Sequence, residues 1–164
     1  MRSILSPVLL IAATVAGGAA AQSVDLTGPT GQHRSVGAAD LAAMPHESAL
    51  VPGEKGPAKA YEGVPLTLLL KSVGAPAGKT LRGPALADVV VITASDGYRV
   101  VLALADTDPG MRTEKVLLAD RSGGAVLASP EGPFRLVVEG DLRPARAARM
   151  VTSIVVRSAD SPTK

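Results

Sequence analysis

The sequence predicts an α+β domain with a mixed β-sheet and short helices. The segment Val89–Ala94 is β-branched and has the composition of a buried strand. The turn Ser95–Gly97 follows it, and an Asp-Gly pair between two apolar runs is a strong hairpin signal. The segment Val64–Val73, by contrast, has its apolar residues at helical spacing. Strands therefore predominate, and helices are few and short.

Most of the remaining elements are expected to be strands. In chain order the expected strands are Ser23–Leu26, Ser48–Val51, Ala58–Tyr61, Val89–Ala94, Tyr98–Leu104, Lys115–Ala119, Ala125–Ala128, Phe134–Glu139 and Met150–Arg157. The residues Asp120–Gly124 separate two of these strands and predict a second hairpin. Phe134–Glu139 alternates between apolar and polar residues, which predicts that only one of its faces is buried.

Two segments are expected to form helices. Val36–Met44 contains helix-forming residues, and Pro45 ends it. In Val64–Val73, Pro65 suits the first turn, where its missing N–H costs nothing, and Gly74 is a C-cap. The expected buried face of this helix consists of Leu66, Leu69, Leu70 and Val73.

Residues 1–21 have the organisation of a secretory signal peptide. Arg2 supplies a positive start, an apolar stretch extends from Ile4 to Val15, and Ala19–Ala21 offers small residues for cleavage after Ala21. An uncleaved membrane anchor is the alternative, but the apolar run is shorter than the roughly 20 residues that a membrane helix prefers.

Cleavage would leave an exported protein without a stable membrane span. Residues 22–157 are expected to form a single domain, because their number suits one domain of typical size. Residues 158–164 are polar and are expected to form a flexible tail. The destination is expected to be the periplasm, and the extracellular medium stays open as an alternative.

The composition excludes several classes of protein. The chain contains no cysteine, which rules out disulfides and a lipidated N-terminus. The formal net charge is only +2, and no basic run is interleaved with aromatic residues, so we do not expect nucleic acid as a partner. The aromatic residues are only Tyr61, Tyr98 and Phe134, so the core must consist mainly of aliphatic side chains.

An ordered set of motifs runs through the expected domain. The motifs are GVPLTLLLKSVGA at Gly63–Ala75, SDGYRVVLAL at Ser95–Leu104, VLLADRSGGAVL at Val116–Leu127, EGPFRLVVEGD at Glu131–Asp141 and RMVTSIVV at Arg149–Val156. In this order and spacing they resemble the molybdopterin-binding domain of sulfite-oxidase-type oxidoreductases. The resemblance extends from about Ser35 to Arg157. It implies that family's α+β fold, which holds a molybdenum–pterin cofactor.

The sequence departs from the family at the metal. The family's molybdenum-ligating cysteine lies before the GVPL helix, and the corresponding interval His46–Glu62 contains no thiol. Ligation through an oxygen of Ser48 is an alternative, but an ordinary serine is favoured and no metal ligand is assigned. Of the family's His-Gly-x-Pro-apolar-Arg motif the chain keeps Arg135 but not the histidine. Of its Val-Lys-Trp segment the chain keeps only the basic residue, as Arg149.

A pterin cofactor carries a phosphate, and an arginine can donate two hydrogen bonds from its planar guanidinium to one phosphate. The candidate binding residues are Arg135, Arg143, Arg146 and Arg149. If residues 144–148 form a helical turn, the last three of these arginines gather on one side. The alternative is a solvated basic edge of the protein.

Tyr98 is the remaining candidate for the binding site. Packing into the core is the favoured interpretation of Tyr98, and a position facing a ligand is the alternative. Asp96 is expected to cap its own turn through its side chain.

The two histidines, His33 and His46, are a poor set for structural zinc without a cysteine. Surface or loop positions are favoured for both. A metal site completed by Asp40 or Glu47 is the alternative, although the spacing matches no metal motif.

Three functions are compatible with these observations. The first is an exported domain that lacks the usual redox chemistry and binds a pterin, a small anion or a partner. The second is a molybdenum-cofactor-dependent oxidoreductase with a metal ligand other than cysteine. The third is an interaction module for an exported protein partner. The residues establish no cofactor and no catalytic residue, and molybdopterin is only what the resemblance implies.

Signal cleavage can be tested on the exported protein itself. We expect mature protein from the periplasmic fraction to begin at Gln22, and intact-mass spectrometry with N-terminal sequencing measures this directly. Recovery of the uncut chain in the membrane fraction would instead support an anchor.

Overall fold

The computed structural model describes residues 22–53 and 56–158. The strands are β1 Ser23–Thr27, β2 His33–Gly37, β3 Glu47–Val51, β4 Lys59–Pro65, β5 Val89–Ala94, β6 Arg99–Ala103, β7 Val116–Ser122, β8 Ala125–Val126, β9 Arg135–Val138 and β10 Val151–Arg157. The helices are α1 Ala38–Ala42 and α2 Leu66–Lys71. Short 3₁₀ turns lie at Gly78–Thr80, Gly83–Ala87, Leu104–Thr107 and Pro144–Arg146. The expected signal peptide and residues 159–164 of the tail lie outside the described residues.

The strands form two sheets. The first has the order β2-β1-β10-β5-β6, in which β1 and β10 are parallel and the other neighbours are antiparallel. The second has the order β3-β4-β7-β8, and β9 also pairs with β7. All of its pairs are antiparallel. The prediction of an α+β fold with a mixed sheet and short helices is therefore confirmed.

The main core lies between the two sheets and includes α2. Its buried residues come from all five strands of the first sheet and from β4, β7 and β9 of the second. A smaller apolar cluster covers the other face of the second sheet. This second cluster contains Ala49, Val51, Tyr61, Leu117, Ala119, Val137 and Ala147. The middle strands of the second sheet are therefore buried on both faces.

The first predicted helix, Val36–Met44, forms at the expected place, but α1 is shorter and comprises only Ala38–Ala42. Val36 belongs to β2, where it pairs with Val24 of β1 and is fully buried. The helix begins only at Ala38, after the Gly37 N–H donates to the Asp40 carboxylate at 2.9 Å. Sheet pairing of Val36 took precedence over a weak helical propensity.

The beginning of α2 was also placed too early. Val64 and Pro65 end β4, where they pair with Leu118 and Leu117 of β7. The helix therefore begins at Leu66. The C-cap of α2 is Ser72 and not the predicted Gly74, but Gly74 has a φ of +82° and is followed by a hydrogen bond from the Ala75 N–H to the Leu70 carbonyl at 3.1 Å, so the chain turns away there.

The expectation for Phe134–Glu139 was wrong. All four residues of β9 are buried, although their alternation predicted one exposed face. Leu136 and Val138 face the main core, whereas Val137 belongs to the second cluster. Arg135 lies on the second cluster's side and is only 4% exposed. The polar residue Arg135 of this alternating segment is therefore a buried charge, and the alternation does not indicate a solvent-exposed face here.

Both predicted hairpins formed, but the second turn is shorter than the predicted Asp120–Gly124, since β7 extends to Ser122 and only Gly123 and Gly124 separate it from β8. In the first, between β5 and β6, the Asp96 side chain accepts a hydrogen bond from the Tyr98 N–H at 2.9 Å. This contact confirms the predicted cap. In the second, β7 pairs with β8, which comprises only Ala125–Val126. Across the described residues, no helix has the length and apolar character needed to cross a membrane.

The position of Leu136 at the centre of the main core leads to a stability prediction. Leu136→Ala should lower the free energy of unfolding by about 2–5 kcal/mol, since it leaves a cavity in a packed core. Leu142→Ala is the matched control, because Leu142 is 95% exposed and its truncation should change stability by about 0.5 kcal/mol or less. Urea unfolding followed by circular dichroism measures both. Equal losses for the two variants would contradict the placement of β9.

Candidate functional site

Three adjoining pockets meet beside the segment that joins β9 to β10. The first has a volume of about 410 Å³, the second about 170 Å³ and the third about 210 Å³. The first two pockets share Arg135, and Arg149 and Pro144 line all three. Arg143 lines the first pocket. We call these three pockets together the arginine groove.

The fold positions the three arginines in two different ways. Arg135 is the first residue of β9 and pairs with Ala119 of β7, which fixes its backbone within a buried sheet. Arg143 and Arg149 flank the 3₁₀ turn Pro144–Arg146. The Ala148 carbonyl accepts a hydrogen bond from the Leu136 N–H at 2.8 Å, which ties this turn to β9. One arginine is therefore built into the sheet, and two exposed arginines lie on an attached segment.

The Arg135 side chain is buried without a full set of partners. Its guanidinium carbon lies 4.7 Å from the centre of the Tyr61 ring, which is a cation–π contact. Its Nη1 lies 3.1 Å from Oε1 of Glu131, but this ion pair lacks the direction of a hydrogen bond. Its Nε is likewise buried without a hydrogen-bond partner. Such unsatisfied buried donors cost free energy, and an added anion would compensate the charge.

Glu131 is the centre of a polar network in the second pocket. Its carboxylate accepts hydrogen bonds from the Tyr61 hydroxyl at 3.2 and 3.3 Å and from Lys59 Nζ at 2.8 Å. Burial by itself would raise the pKa of Glu131, but the hydrogen bond from Lys59 and the charges of Arg135 and Lys59 outweigh it and lower the pKa. Glu131 therefore stays ionised and neutralises part of the surrounding positive charge.

Lys59 and Tyr61, which donate hydrogen bonds to Glu131, have raised pKa values, whereas the pKa of Glu131 is lowered. Burial raises the pKa of the Tyr61 phenol, although the Arg135 charge opposes the shift. The hydrogen bond to Glu131 raises the pKa of Lys59. Tyr61 is thus held as a neutral donor and Lys59 as a cation, so neither is prepared to act as a base at neutral pH.

Of the four candidate arginines, the structure brings three together. Arg135, Arg143 and Arg149 line the first pocket, whereas Arg146 does not. Both Nε and Nη2 of Arg146 donate to the Asp141 carboxylate, the former at 2.9 Å. The hydrogen bond to Asp141 raises the pKa of Arg146. The expected gathering of three arginines around the turn is therefore corrected to two, because the turn is short and Asp141 holds the third.

Tyr98 lies in the third pocket and not in the core. The expectation of core packing was wrong, since Tyr98 is 49% exposed and lines the third pocket. It directly precedes β6, whose first residue, Arg99, pairs with Thr93 of β5, and it is not part of the main core. Its hydroxyl donates to the Ala145 carbonyl at 2.7 Å. This hydrogen bond joins the first hairpin to the segment that carries Arg143 and Arg149.

The sequence did not single out Lys59, Tyr61 or Glu131. Two signals were present in retrospect. Glu131 precedes Arg135 by four residues, and Lys59 and Tyr61 are two residues apart on a strand and so share one face. Neither spacing is specific, because charge pairs of this kind are common on protein surfaces.

The histidines do not form a metal site in the described part of the chain. Nδ1 of His46 lies 2.9 Å from the Met44 carbonyl and its Nε2 lies 3.0 Å from Oδ1 of Asp120. His33 lies 3.0 Å from the Thr27 hydroxyl. Among residues 22–53 and 56–158, no group of three or more His, Cys, Asp or Glu side chains could hold a metal ion.

Comparisons with known proteins define the fold. No family model matches this chain, and no curated protein matches it. Among solved structures, it is similar to the sulfane dehydrogenase SoxCD from Paracoccus pantotrophus, with a TM-score of 0.63 and 19% sequence identity. The match covers 85% of this chain but only 39% of that chain. The protein has a distant sulfite-oxidase-like fold.

The cofactor implied by the resemblance can be compared with the residues present. Molybdenum is held by soft sulfur donors, and the chain has no cysteine. None of the described residues that line the arginine groove is a methionine. Ser48 is exposed on β3 and is not among the groove's lining residues. The donor set therefore does not fit molybdenum, whereas the arginines fit a phosphate or another oxyanion.

The lowered pKa of Glu131 predicts how its contribution to stability depends on pH. An acid whose pKa is lower in the folded state stabilises the fold above its unfolded pKa, near 4.5, and this contribution disappears as pH falls through the folded pKa. Glu131→Gln should therefore be less stable than the original protein at pH 7, and the difference should shrink on acidification. Urea unfolding at a series of pH values between about 7 and 3 measures it.

Glu114→Gln is the control for this measurement. Glu114 is about half exposed and lies 3.8 Å from Arg112, so its replacement should have a smaller effect at pH 7. If the stabilities of Glu131→Gln and the original protein stayed parallel over the whole pH range, the Lys59–Glu131–Arg135 network would not stabilise the fold.

Proposed function

We propose that this protein is an exported anion-binding domain with a distant sulfite-oxidase-like fold and without molybdenum redox chemistry. The observation that carries the proposal is Arg135, which lines two pockets while its Nε and Nη1 are buried and lack hydrogen-bond partners. Glu131 compensates the charge of this guanidinium only in part, so an oxyanion in either pocket would be attracted to it.

The charges around the groove support an anion. The described residues that line the three pockets include the bases Lys59, Arg135, Arg143 and Arg149 and the acids Glu131 and Asp96. Glu131 offsets part of the charge of Lys59 and Arg135. Among the described residues, no ion pair joins Arg143 or Arg149 to an acid. The positive charge that remains favours a ligand with two or more negative charges.

The size of the first pocket sets the kind of ligand. A volume of about 410 Å³ lies within the usual range of roughly 300–1,000 Å³ for small-molecule sites. Apolar walls come from Leu142, Ala145 and Ala147, next to the arginines. A pterin phosphate without the metal is one ligand with these properties, since it combines a flat organic part with a dianionic phosphate.

The binding experiment uses isothermal titration calorimetry with pyrophosphate as the probe. Binding should be detectable at low salt and should weaken as salt is added, because exposed charges are screened. Arg143→Gln and Arg149→Gln should each weaken it about tenfold, the effect of losing one charge-assisted hydrogen bond. The matched control is Arg34→Gln, since Arg34 is exposed on β2 and outside the groove.

The cofactor itself is tested on protein purified from the exported fraction of a host that makes molybdopterin. Elemental analysis should find no stoichiometric molybdenum, and fluorescence after oxidation measures any retained pterin. Stoichiometric molybdenum would overturn the proposal of lost redox chemistry. Pyrophosphate binding that is equal in the Arg34, Arg143 and Arg149 variants would overturn the anion site.

A further inference from the structure

We infer that the arginine groove binds an acidic peptide segment of a partner protein, in which carboxylates alternate with large apolar side chains. The inference rests on the proposed anion site and identifies the kind of molecule that presents the anion. Its evidence is a set of three neighbouring pockets that share lining residues and together exceed what a small anion requires, with exposed apolar side chains at two of them.

The groove continues beyond the arginine-rich first pocket. Pro144, Ala145, Ala147 and Arg149 line both the first and the third pocket, so the two pockets lie against the same segment. The second pocket joins the first on the side of Arg135. A free phosphate would occupy one of the three, whereas an extended peptide spans neighbouring pockets and places successive side chains in each.

Leu142 is the first apolar contact. It lines the first pocket beside Arg143 and is 95% exposed. A single exposed leucine is ordinary on a protein surface and would carry no argument by itself. Here it stands at the edge of a positively charged groove, where an apolar side chain next to a bound carboxylate could cover it.

Tyr98 is the second apolar contact, in the third pocket. Its ring is about half exposed, and its hydroxyl is held by the Ala145 carbonyl at 2.7 Å. The turn behind it is capped by Asp96. A tyrosine fixed in this way offers apolar surface at little cost in conformational entropy. Tyrosine and arginine are also the residue types most enriched in the central contacts of protein interfaces.

The charge and shape of the groove favour an acidic peptide over other large partners. Arg143 and Arg149 are exposed, and both line the groove, which calls for carboxylates in the partner. An anionic membrane would offer negative charge too, but a flat bilayer cannot enter concave pockets of this size. Arg135 in particular is only 4% exposed, so only a side chain that enters the groove can approach it.

The test uses fluorescence polarisation with a labelled hexapeptide library in which Asp or Glu alternates with Leu, Val or Phe. A matched library carries Asn or Gln in place of the acids. The acidic library should bind, and the amide library should bind at least about tenfold more weakly, because it lacks the charges that pair with arginine. Arg143→Gln should weaken both the acidic library and pyrophosphate.

Leu142→Ser separates the peptide from the bare anion. It should weaken binding of the acidic library by about tenfold, the effect of losing a partly buried apolar side chain, and should weaken pyrophosphate binding much less, because pyrophosphate has no apolar group that contacts the wall of the pocket. Leu142 is almost fully exposed, so this variant keeps the fold. Val126→Ser is the matched control, since Val126 is 72% exposed and lies outside the groove, and it should change neither.

Each other outcome overturns a defined part of the inference. Pyrophosphate binding without peptide binding, or peptide binding that Leu142→Ser leaves intact, would refute the peptide site and preserve the anion site. Tight binding to vesicles of phosphatidylserine and phosphatidylcholine, lost in Leu142→Ser, would assign the surface to a membrane. Absence of binding to every probe would refute the anion site as well.

Discussion

Burial of β9 on both faces is the constraint on which the candidate site depends. β9 pairs with β7 in the second sheet, with Leu136 and Val138 in the main core and Val137 in the second cluster. Arg135 is part of this strand and cannot turn its charge to solvent. The fold must therefore provide partners for a buried guanidinium, and the surrounding residues are arranged to do so.

The partners that the fold provides compensate the Arg135 charge only in part. Tyr61 contributes a ring face, and Glu131 contributes a carboxylate at 3.1 Å without a directed hydrogen bond. Glu131 is also shared with Lys59, which competes for the same negative charge. Incomplete neutralisation leaves positive charge beside the pockets that Arg135 lines.

The fold resembles that of SoxCD, but the side chains that line the arginine groove are not a set of molybdenum ligands. The likeness to SoxCD concerns the arrangement of the chain, at 19% identity, and a shared fold does not carry a shared reaction. The described residues that line the groove include no cysteine and no methionine as a soft donor for molybdenum. Anion recognition needs only positive charge and hydrogen-bond donors, which Arg135, Arg143 and Arg149 supply. These lining residues therefore fit an anion better than a molybdenum centre.

The sequence by itself determined the fold class, both hairpins and most strand positions, because β-branched runs and turn residues act locally. It also indicated Arg135 and Arg149 through their motifs. Only the tertiary structure decided that β9 is buried on both faces, that Tyr98 lies outside the core, and that Arg146 donates to Asp141 and does not line the groove. These outcomes depend on which residues meet across distant segments, and local patterns of polarity carry no information about that pairing.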